Sequence, residues 1–590
     1  MINDFVRTRE TFQAFEFAAL ILSTPPMTPL FTTDVNNNMG GCAFDKLLTQ
    51  NVPHILEKIF FSLGYESYKT CFEVSKTWNQ ILRSKYFRAK GISLFEHEIL
   101  KDERKLWNAS KWGKSEDIPK LFRSGMIDVN CVIRPKNCYG STSLCEAVKH
   151  GCKEVVKLLL EYGANPNKAN EENVTPLYWA TSKGNGDVVQ ILLAGGADPK
   201  KTDNDGNSPL HQATQKGHQH IVKLLLDFGA QPEESNRYGK TPLLCAAWYD
   251  HKEIVQQLLA WGADPNKADI CKETPLHRTS CGNAAKLLIE GGADTEGTTE
   301  KGDTPLHNAV WKGNINVVRV LLEGGAEFDK VDRQGMSPLQ IAAKLGHDDI
   351  VKLLLDVGAE PNNVDMYNRT PVYEAAQNGH IAVVSILNEK GVDIHEKTNL
   401  GVTPLHVAAE KGYEAVVNKL LEMGAHPNIE DANGWTPLHK ASRSGQKDVA
   451  RLLIRNGANP DSRTWNEAAT ALHMAVQSGC RDVIRVLLDG GAYPDKTNHQ
   501  EETPLHLAVQ KGYAMVAQML MDRGANPNIE DENGYTPLHS ASISGHKDIV
   551  ELLICEGAKM EMEDKNGFTP LQLALWSGHE DVFKLFMERA

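Results

Sequence analysis

Eight histidines stand at the same offset, three residues after a Thr or a Ser. Imidazole binds metals and carries protons near neutral pH, so a regular series of histidines raises the question of a metal site or a proton relay. These histidines are far apart along the chain. Even between the two that are closest in sequence, His277 and His307, there are enough residues to form two short helices. If each belongs to its own packed helical layer, neighbours lie ~10 Å apart and cannot share a metal ion. The eight are His211, His277, His307, His406, His439, His473, His506 and His539.

The 11 cysteines are scattered, and four of them fall seven residues apart: Cys131, Cys138, Cys145 and Cys152. Zinc sites need closely paired ligands such as Cys-x-x-Cys, which a spacing of seven residues does not provide. A chain of this length does not depend on disulfides, so we expect free thiols in a reducing compartment. The predicted location is the cytoplasm, with the nucleus as an alternative.

No catalytic or nucleotide-binding motif is present, because G-x-x-x-x-G-K-S/T, G-x-G-x-x-G, H-E-x-x-H and G-x-S-x-G are all absent from the sequence. We therefore expect a chain that is not an enzyme, with no catalytic residue, no metal, no cofactor and no small-molecule substrate.

Acidic residues outnumber basic ones, 76 to 63, for a formal net charge of −13. This excess disfavours non-specific binding to nucleic acid and to anionic membrane surfaces. It favours a basic patch on a protein partner. No apolar run is long enough to span a membrane.

The histidines belong to a repeating unit that begins with a Thr or a Ser. Neighbouring copies recur about every 33 residues, and a fixed period of this length indicates a stacked-repeat architecture. One interval is three residues shorter, from Thr274 to Thr304, and one is a single residue longer, from Thr436 to Thr470. The starting residues are Thr142, Thr175, Ser208, Thr241, Thr274, Thr304, Ser337, Thr370, Thr403, Thr436, Thr470, Thr503, Thr536 and Thr569.

Each unit predicts two short helices. Thr436 is suited to cap the first helix, Pro437 to its first position, and Gly445 to its end. The following run KDVARLLIRNGA has a second, amphipathic helical pattern. So narrow an apolar face is not buried by one unit alone, so the units must stack.

These units resemble ankyrin repeats in their T-P-L-H, G-H-x-D/E-I/V-V and L-L-x-x-G-A-x-x-N elements. The resemblance covers residues 139–590 as fourteen repeats. A degenerate fifteenth precedes them, with Leu106, Ala109, Gly113 and Ile118 at the expected offsets. It implies an all-α fold with short β-hairpin loops, a solenoid of about 14–15 units. It also implies that the repeated His hydrogen-bonds the hairpin and the helix cap.

Residues 48–95 carry a different pattern, with Ile55, Leu56, Ile59, Phe60 and Leu63 on one face of a predicted helix. The segment resembles an F-box through Leu56, Ile59, Phe60, Leu63, Ser67, Cys71, Val74, Lys76 and Trp78. Two positions depart from the family pattern. Asn51-Val52 stand where the family has Leu-Pro, with Pro53 one place later, and Ser75 replaces the second Cys. The alternative is a three-helix cap that covers the open end of the solenoid.

The F-box resemblance implies binding to a Skp-type adaptor of a cullin ubiquitin ligase. The implied adaptor-binding residues are Pro53, Leu56, Ile59, Leu63, Val74 and Trp78. The predicted domains are a flexible leader (1–47), the F-box-like domain (48–95), a connector with the degenerate repeat (96–138) and fourteen repeats (139–590). The predicted function is a substrate receptor of the ligase; the alternative is an ankyrin scaffold or inhibitor outside any ligase.

In ankyrin proteins, partners usually bind along the concave face, at the hairpins and the ends of the first helices. Large aromatic residues at those positions here are expected to contact a target protein, because aromatics are favoured at binding surfaces. The alternative is that they pack on the neighbouring repeat. They are Trp248, Tyr249, Trp311, Trp435, Trp465, Tyr535, Phe568 and Trp576. The short interval predicts that the first helix after Thr274, or the turn that follows it, is shortened, and the long interval predicts an extra hairpin residue before Thr470.

Overall fold

A computed structural model describes residues 85–122, 127–133 and 140–589. These residues form thirty helices and one pair of two-residue strands, as the all-α prediction requires. The chain divides into two compact units, one that ends at Ile270 and one that begins at Cys271. The six F-box-like positions from Pro53 to Trp78 and the predicted leader lie outside the described residues.

The described part of the first unit begins with a long helix and then continues as helix pairs. Its helices are α1 (Lys85–Lys111), α2 (Asp117–Phe122), α3 (Ser143–Lys149), α4 (Lys153–Glu161), α5 (Pro176–Ser182), α6 (Gly186–Ala194), α7 (Pro209–Lys216), α8 (Gln219–Asp227), α9 (Pro242–Trp248) and α10 (Lys252–Ala260). The strands β1 (Val132–Ile133) and β2 (Ser141–Thr142) pair antiparallel just before α3.

The second unit consists of ten helix pairs in sequence. They are α11 (Pro275–Arg278) and α12 (Gly282–Glu290), α13 (Pro305–Trp311) and α14 (Ile315–Glu323), α15 (Pro338–Leu345) and α16 (Asp348–Asp356), α17 (Pro371–Asn378) and α18 (Ile381–Glu389), α19 (Pro404–Lys411) and α20 (Glu414–Glu422), α21 (Pro437–Arg443) and α22 (Lys447–Arg455), α23 (Ala471–Gln477) and α24 (Arg481–Asp489), α25 (Pro504–Gln510) and α26 (Ala514–Met521), α27 (Pro537–Ser544) and α28 (Lys547–Cys555), and α29 (Pro570–Trp576) and α30 (Glu580–Arg589).

The first helix of each repeat begins where the sequence predicts. The Thr436 hydroxyl accepts a hydrogen bond from the His439 backbone N–H at 3.4 Å, and Pro437 takes the first helical position. Gly445 follows the end of α21 with a φ of +75°, a conformation that Gly adopts without a steric penalty. The predicted cap, start and stop are therefore confirmed for this repeat.

In both compact units, the buried apolar side chains lie between neighbouring repeats. In α22, Val449 and Leu453 are fully buried, while Leu452 is half-buried. The first helices pack against one another in order, as α19 on α21 and α21 on α23, and each also packs on its own second helix. The prediction that repeats must stack to bury their apolar faces is confirmed.

The described chain before Ser143 also packs on the repeats. Leu106 and Ile118 are fully buried, Ala109 is buried, and Gly113 has a φ of +69° between α1 and α2. Helix α1 packs on α3 and α2 packs on α4. Helix α1 is continuous through residues 95 and 96, the predicted border between the F-box-like domain and the connector.

Both predicted irregularities are confirmed. Helix α11 has only 4 residues, whereas the other first helices have seven or eight. In the hairpin before Thr470, the Thr464 hydroxyl accepts from the Ala469 N–H at 3.2 Å, five residues on. The equivalent bond in the preceding hairpin, from the Trp435 N–H to Asp431, spans only four.

Candidate functional site

The eight repeated histidines are structural bridges between repeats. In His439, Nδ1 lies 3.1 Å from the Thr436 backbone nitrogen, and Nε2 lies 3.2 Å from the Ala469 carbonyl oxygen of the next repeat. Because a backbone N–H can only donate, Nδ1 accepts and the ring proton stays on Nε2, which donates to the carbonyl. The other seven make the same pair of contacts: His211, His277, His307, His406, His473, His506 and His539.

Burial lowers the pKa of seven of these imidazoles and so favours their neutral form. It lowers the pKa of His211, His406, His439 and His473 to about 4, although the hydrogen bond to the next repeat's carbonyl raises each pKa in part. A neutral imidazole with both nitrogens occupied by backbone groups has no free position for a metal or a substrate. The predicted hydrogen bonding to the hairpin and the cap is thus confirmed.

The tryptophans at the ends of first helices are exposed, as predicted. Trp248, Trp311 and Trp576 are the last residues of α9, α13 and α29. Their exposed fractions are 38%, 43% and 84%. Tyr249, which follows Trp248, is also exposed, and the two rings stack with centres 6.4 Å apart.

Several of these rings lie beneath a cationic side chain, which the sequence did not predict. Lys240 Nζ lies 4.5 Å from the centre of the Trp248 ring, and Lys344 Nζ lies 5.9 Å from that of Trp311. A cation over an indole face is attracted by the ring's electrons, by ~0.5–1 kcal/mol where both groups are exposed. Each pair presents a positive charge beside an apolar surface.

The hairpin aromatics are less uniform than predicted. Trp465 is 60% exposed and Phe568 is exposed, but Trp435 and Tyr535 are half-buried. Trp435 is covered by Lys440 and Arg443, whose charged groups lie 4.8 and 5.2 Å from its ring centre. Tyr535 packs near His539, with ring centres 5.9 Å apart.

Trp465 lies in the hairpin that carries the extra residue. Its indole lies against Gly434, where an added Cβ would overlap the ring, and Gly434 has a φ of +73°. The Trp465 backbone N–H donates to the Asn433 carbonyl at 2.9 Å, which fixes this hairpin to the preceding one. The Ala432 N–H makes the same bond to the Leu400 carbonyl, at 3.0 Å, in a repeat without the extra residue, so the exposed indole of Trp465 occupies an ordinary hairpin position.

Asp431 holds the same region together. Its carboxylate accepts from the Asn433 and Trp435 N–H groups at 2.9 and 3.0 Å and pairs with Lys440 at 3.0 Å. Burial by itself raises the pKa of Asp431, but these hydrogen bonds and the Lys440 ammonium outweigh it, so the pKa lies below its usual value. Lys440 is therefore neutralised, whereas among the described residues Arg443 has no carboxylate partner.

The repeat at Thr370 replaces the bridging histidine by Tyr373 and carries a buried carboxylate at Glu374. Arg369 Nη1 lies 2.9 Å from Glu374, and Arg369 Nε donates to Asp365 at 2.8 Å. Burial raises the pKa of Glu374, although Arg369 lowers it in part. This repeat thus has an ionic link beside the position that holds histidine in eight of the other thirteen repeats.

Lys312 supports the shortened helix α11. Its ammonium donates to the carbonyls of His277, Arg278 and Thr279 at 3.3, 2.9 and 3.5 Å. Burial lowers the pKa of Lys312, and the nearby Arg278 lowers it further. The lysine replaces the helical turn that the three missing residues would have supplied.

Within the ranges that the structure describes, no group of three or more His, Cys, Asp or Glu is placed to hold a metal ion. The described cysteines of the seven-residue series, Cys131, Cys145 and Cys152, are free thiols. None of the described helices is long and apolar enough to cross a membrane.

Comparison with known proteins agrees with the repeat geometry. The family model described as ankyrin repeats (3 copies) matches residues 106–203, 177–269, 262–332, 324–398, 391–464, 462–531 and 505–590. The chain belongs to the ankyrin repeat family. Proteins of this family are generally non-catalytic scaffolds, and the repeats indicate a role in protein–protein interaction.

One similar solved structure is the crystal structure of the ankyrin repeat domain of Bcl-3, described as a unique member of the IkappaB protein family. It shares 30% sequence identity with this ankyrin chain, covers 37% of this chain and 98% of its own, and has a TM-score of 0.35. No curated protein matches the chain.

Some surface residues of this ankyrin chain were missed by the sequence reasoning. Among them are the cations over the indoles, Lys240, Lys440 and Arg443, and the exposed hairpin residues Tyr367 and Leu400. A signal for the cations was present: Lys440 and Arg443 lie four and seven residues after a cap that directly follows an aromatic residue.

Proposed function

We propose that this ankyrin repeat protein is the substrate-recognition subunit of a Skp–cullin–F-box ubiquitin ligase. In this proposal residues 48–95 bind the Skp-type adaptor, and the repeats bind the target protein. The chain itself contributes no catalytic residue. The leader (1–47), the connector with its degenerate repeat (96–138) and the fourteen repeats (139–590) complete the arrangement.

The observation that supports adaptor binding is the F-box-like pattern of residues 48–95, which has no counterpart in the repeats. Its apolar positions Leu56, Ile59 and Leu63 recur at helical spacing, which predicts one apolar face of a helix. Helix-rich segments this short have little core of their own, so such a face requires a partner.

Target binding is proposed at the ends of the first helices and at the hairpins. The support is the exposure of Trp248, Trp311, Trp465 and Trp576, together with the cations beside the first two. Aromatic residues and Arg are enriched where proteins bind tightly. Tyr249, Trp435, Tyr535 and Phe568 are further residues proposed to contact the target.

A second candidate is an ankyrin scaffold or inhibitor that acts outside any ligase. The observation that favours it is that α1 begins at Lys85, within the F-box-like segment, and packs on α3. On this account residues 48–95 cover the end of the repeats. Their deletion would then lower the melting temperature without changing the half-life of any partner.

Adaptor binding tests the proposal. We expect the purified full chain to form a 1:1 complex with a purified Skp-type adaptor in size-exclusion chromatography with light scattering. Replacing both Ile59 and Leu63 by Asp places two charges on the apolar face and should abolish the complex. Lys58→Asp, which adds the same carboxylate at a polar position of this helix, is the control and should bind.

If the full chain forms no complex with the adaptor at concentrations where an established F-box protein does, the ligase proposal is wrong. Binding of both the Ile59/Leu63 variant and the wild-type chain would mean that the adaptor contacts another part of the protein.

A further inference from the structure

The first unit carries three lysines at the ends of two first helices and in the hairpin before α9. His150, Lys183, Lys216 and Tyr249 take the same position in four consecutive repeats, eight residues after the cap. Lys183 and Lys216 are exposed. Lys240, which lies over the Trp248 ring, adds a third ammonium group next to the exposed Trp248–Tyr249 pair. We call Lys183, Lys216 and Lys240 the basic row, and Trp248 with Tyr249 its aromatic end.

The basic row is not neutralised from within the protein. Among the described residues, none of its three ammonium groups forms an ion pair with a carboxylate. The ion pairs of this region use other lysines, as in Lys149 with Glu146 and Lys153 with Asp187, both at 3.0 Å. Three unpaired cations in one row are notable in a chain whose net charge is −13.

Two carboxylates of these repeats are engaged with other groups, and a third lies beyond Tyr249. Glu146 is buried and paired with Lys149. In the hairpins, Asp203 accepts from the Asp205 and Asn207 N–H groups at 2.9 and 2.8 Å and so holds its own turn. Asp250 is exposed and follows Tyr249, beyond the last lysine. The row therefore offers positive charge that ends at an aromatic surface.

The spacing of the row matches an extended peptide. Packed helices of neighbouring repeats are ~8–10 Å apart. A polyproline II chain rises ~3.1 Å per residue and has three residues per turn, so every third side chain returns to the same face after ~9 Å. Acidic side chains three residues apart would therefore meet Lys183 and Lys216, the two lysines of the row at the same repeat position.

We propose that the basic row and its aromatic end bind an extended acidic segment of a partner protein. In this segment carboxylates recur every third residue, and a large apolar side chain lies against Trp248. The proposal rests on the proposed protein-binding function of the repeats and specifies the chemistry of one partner segment. It runs opposite to the expectation from net charge, because interactions beyond ~8 Å are screened at physiological salt and the local charges dominate.

Three synthetic fluorescein-labelled peptides of one length test the proposal. Their binding to the full chain is measured by fluorescence anisotropy. One peptide has Glu at every third position and a single Leu. A second has the same residues with Glu in one block, and a third has Lys in place of every Glu. A single-stranded oligonucleotide is the fourth probe. We expect the first peptide to bind at least about 5-fold tighter than the block peptide, and the Lys peptide to show no binding.

Variants locate the site. Replacing Lys183 and Lys216 together by Glu should lower the affinity for the first peptide at least about 10-fold, and Trp248→Ala should lower this affinity about 3-fold or more. The matched control is Lys411→Glu with Lys511→Glu, two exposed lysines at the same repeat position in the second unit. This control should change the affinity less than about 2-fold.

Equal binding of the spaced and block peptides, or unchanged affinity in the Lys183/Lys216 variant, would overturn the proposal. Tighter binding of the oligonucleotide that the same variant abolishes would also overturn it and assign the row to nucleic acid. These outcomes are separate from the adaptor test, because the adaptor is proposed to bind residues 48–95 and its complex does not require Lys183 or Lys216.

Discussion

At the scale of single residues, the repeated histidine joins two repeats through a neutral ring. The chain also contains a substitute that cannot titrate. In the repeat at Ser337, Gln340 Oε1 accepts from the Ser337 N–H at 2.9 Å, and Gln340 Nε2 donates to the Arg369 carbonyl at 2.6 Å. Glutamine thus reproduces both bonds of the histidine.

We predict that His439→Gln keeps the stability of the protein near pH 8 and that His439→Ala lowers it by about 1–3 kcal/mol, because Ala leaves two backbone groups without partners. Urea unfolding near pH 8 measures both effects. If His439→Gln is as destabilising as His439→Ala, the bridging role assigned to the ring is wrong.

The histidines also predict how stability depends on pH. The pKa of His439 is about 4 in the folded protein, below its ordinary value of 6.5, so between these values the unfolded chain binds a proton that the folded chain does not. The stability that neutral His439 contributes is complete above pH 6.5, and it is lost as the pH falls towards 4, by ~1.4 kcal/mol per pH unit. His439→Gln should therefore flatten the decline in urea midpoint from about pH 6.5 to pH 4.5, and a slope equal to that of the wild-type chain would contradict the assignment.

The sequence predicted the partners of the histidines and the exposure of Trp248, Trp311 and Trp576, because both follow from position within a repeat. It did not predict that Lys440 and Arg443 cover Trp435, or that Trp465 lies on Gly434. The first depends on which long side chains bend towards the ring. The second depends on the direction in which the indole turns, because the backbone bond of Trp465 to the preceding hairpin is the same as that of Ala432 in a repeat without the extra residue.

At the scale of elements, the one short interval between repeats predicted a shortened first helix or turn, and the structure shows that the helix is shortened, since α11 has 4 residues. It gave no indication of what satisfies the carbonyl groups at the end of so short a helix. Lys312 and Asn314 of the next repeat do so, Lys312 through three carbonyls and Asn314 through that of Ser280. Contacts from a neighbouring repeat are not visible in one repeat's own pattern.

We predict that Lys312→Ala speeds amide exchange in α11 and the turn after it by about 10-fold, because three carbonyls lose their donor. Hydrogen exchange with mass spectrometry over peptides that cover residues 275–290 measures the effect. The matched control is Lys511→Ala, an exposed lysine at the same position of another repeat. Equal exchange rates in α11 for the wild-type chain and the Lys312 variant would show that the lysine does not support this helix.

At the scale of the whole molecule, the nearly constant interval between repeats predicted a stacked-repeat fold, and the resemblance of the T-P-L-H, G-H-x-D/E-I/V-V and L-L-x-x-G-A-x-x-N elements predicted the ankyrin family. Local caps, stops and apolar faces all agree with stacking, so the prediction needed no long-range information. The function of the N-terminal segment and the location of the target-binding surface could not be predicted in this way, because they depend on partner molecules.

The central claim is that one chain links a cullin ligase to a target protein. Affinity capture of the tagged full chain from cells with the proteasome blocked, followed by mass spectrometry, tests it most directly. The Ile59/Leu63→Asp variant is captured in parallel with Lys58→Asp as the control. We predict that the wild-type and control chains capture a Skp-type adaptor, a cullin and a set of target proteins. The variant should keep the targets and lose the adaptor and the cullin, and the targets should live longer in cells that express it. Capture of the same proteins by all three chains, without adaptor or cullin and with unchanged target half-lives, would contradict the account.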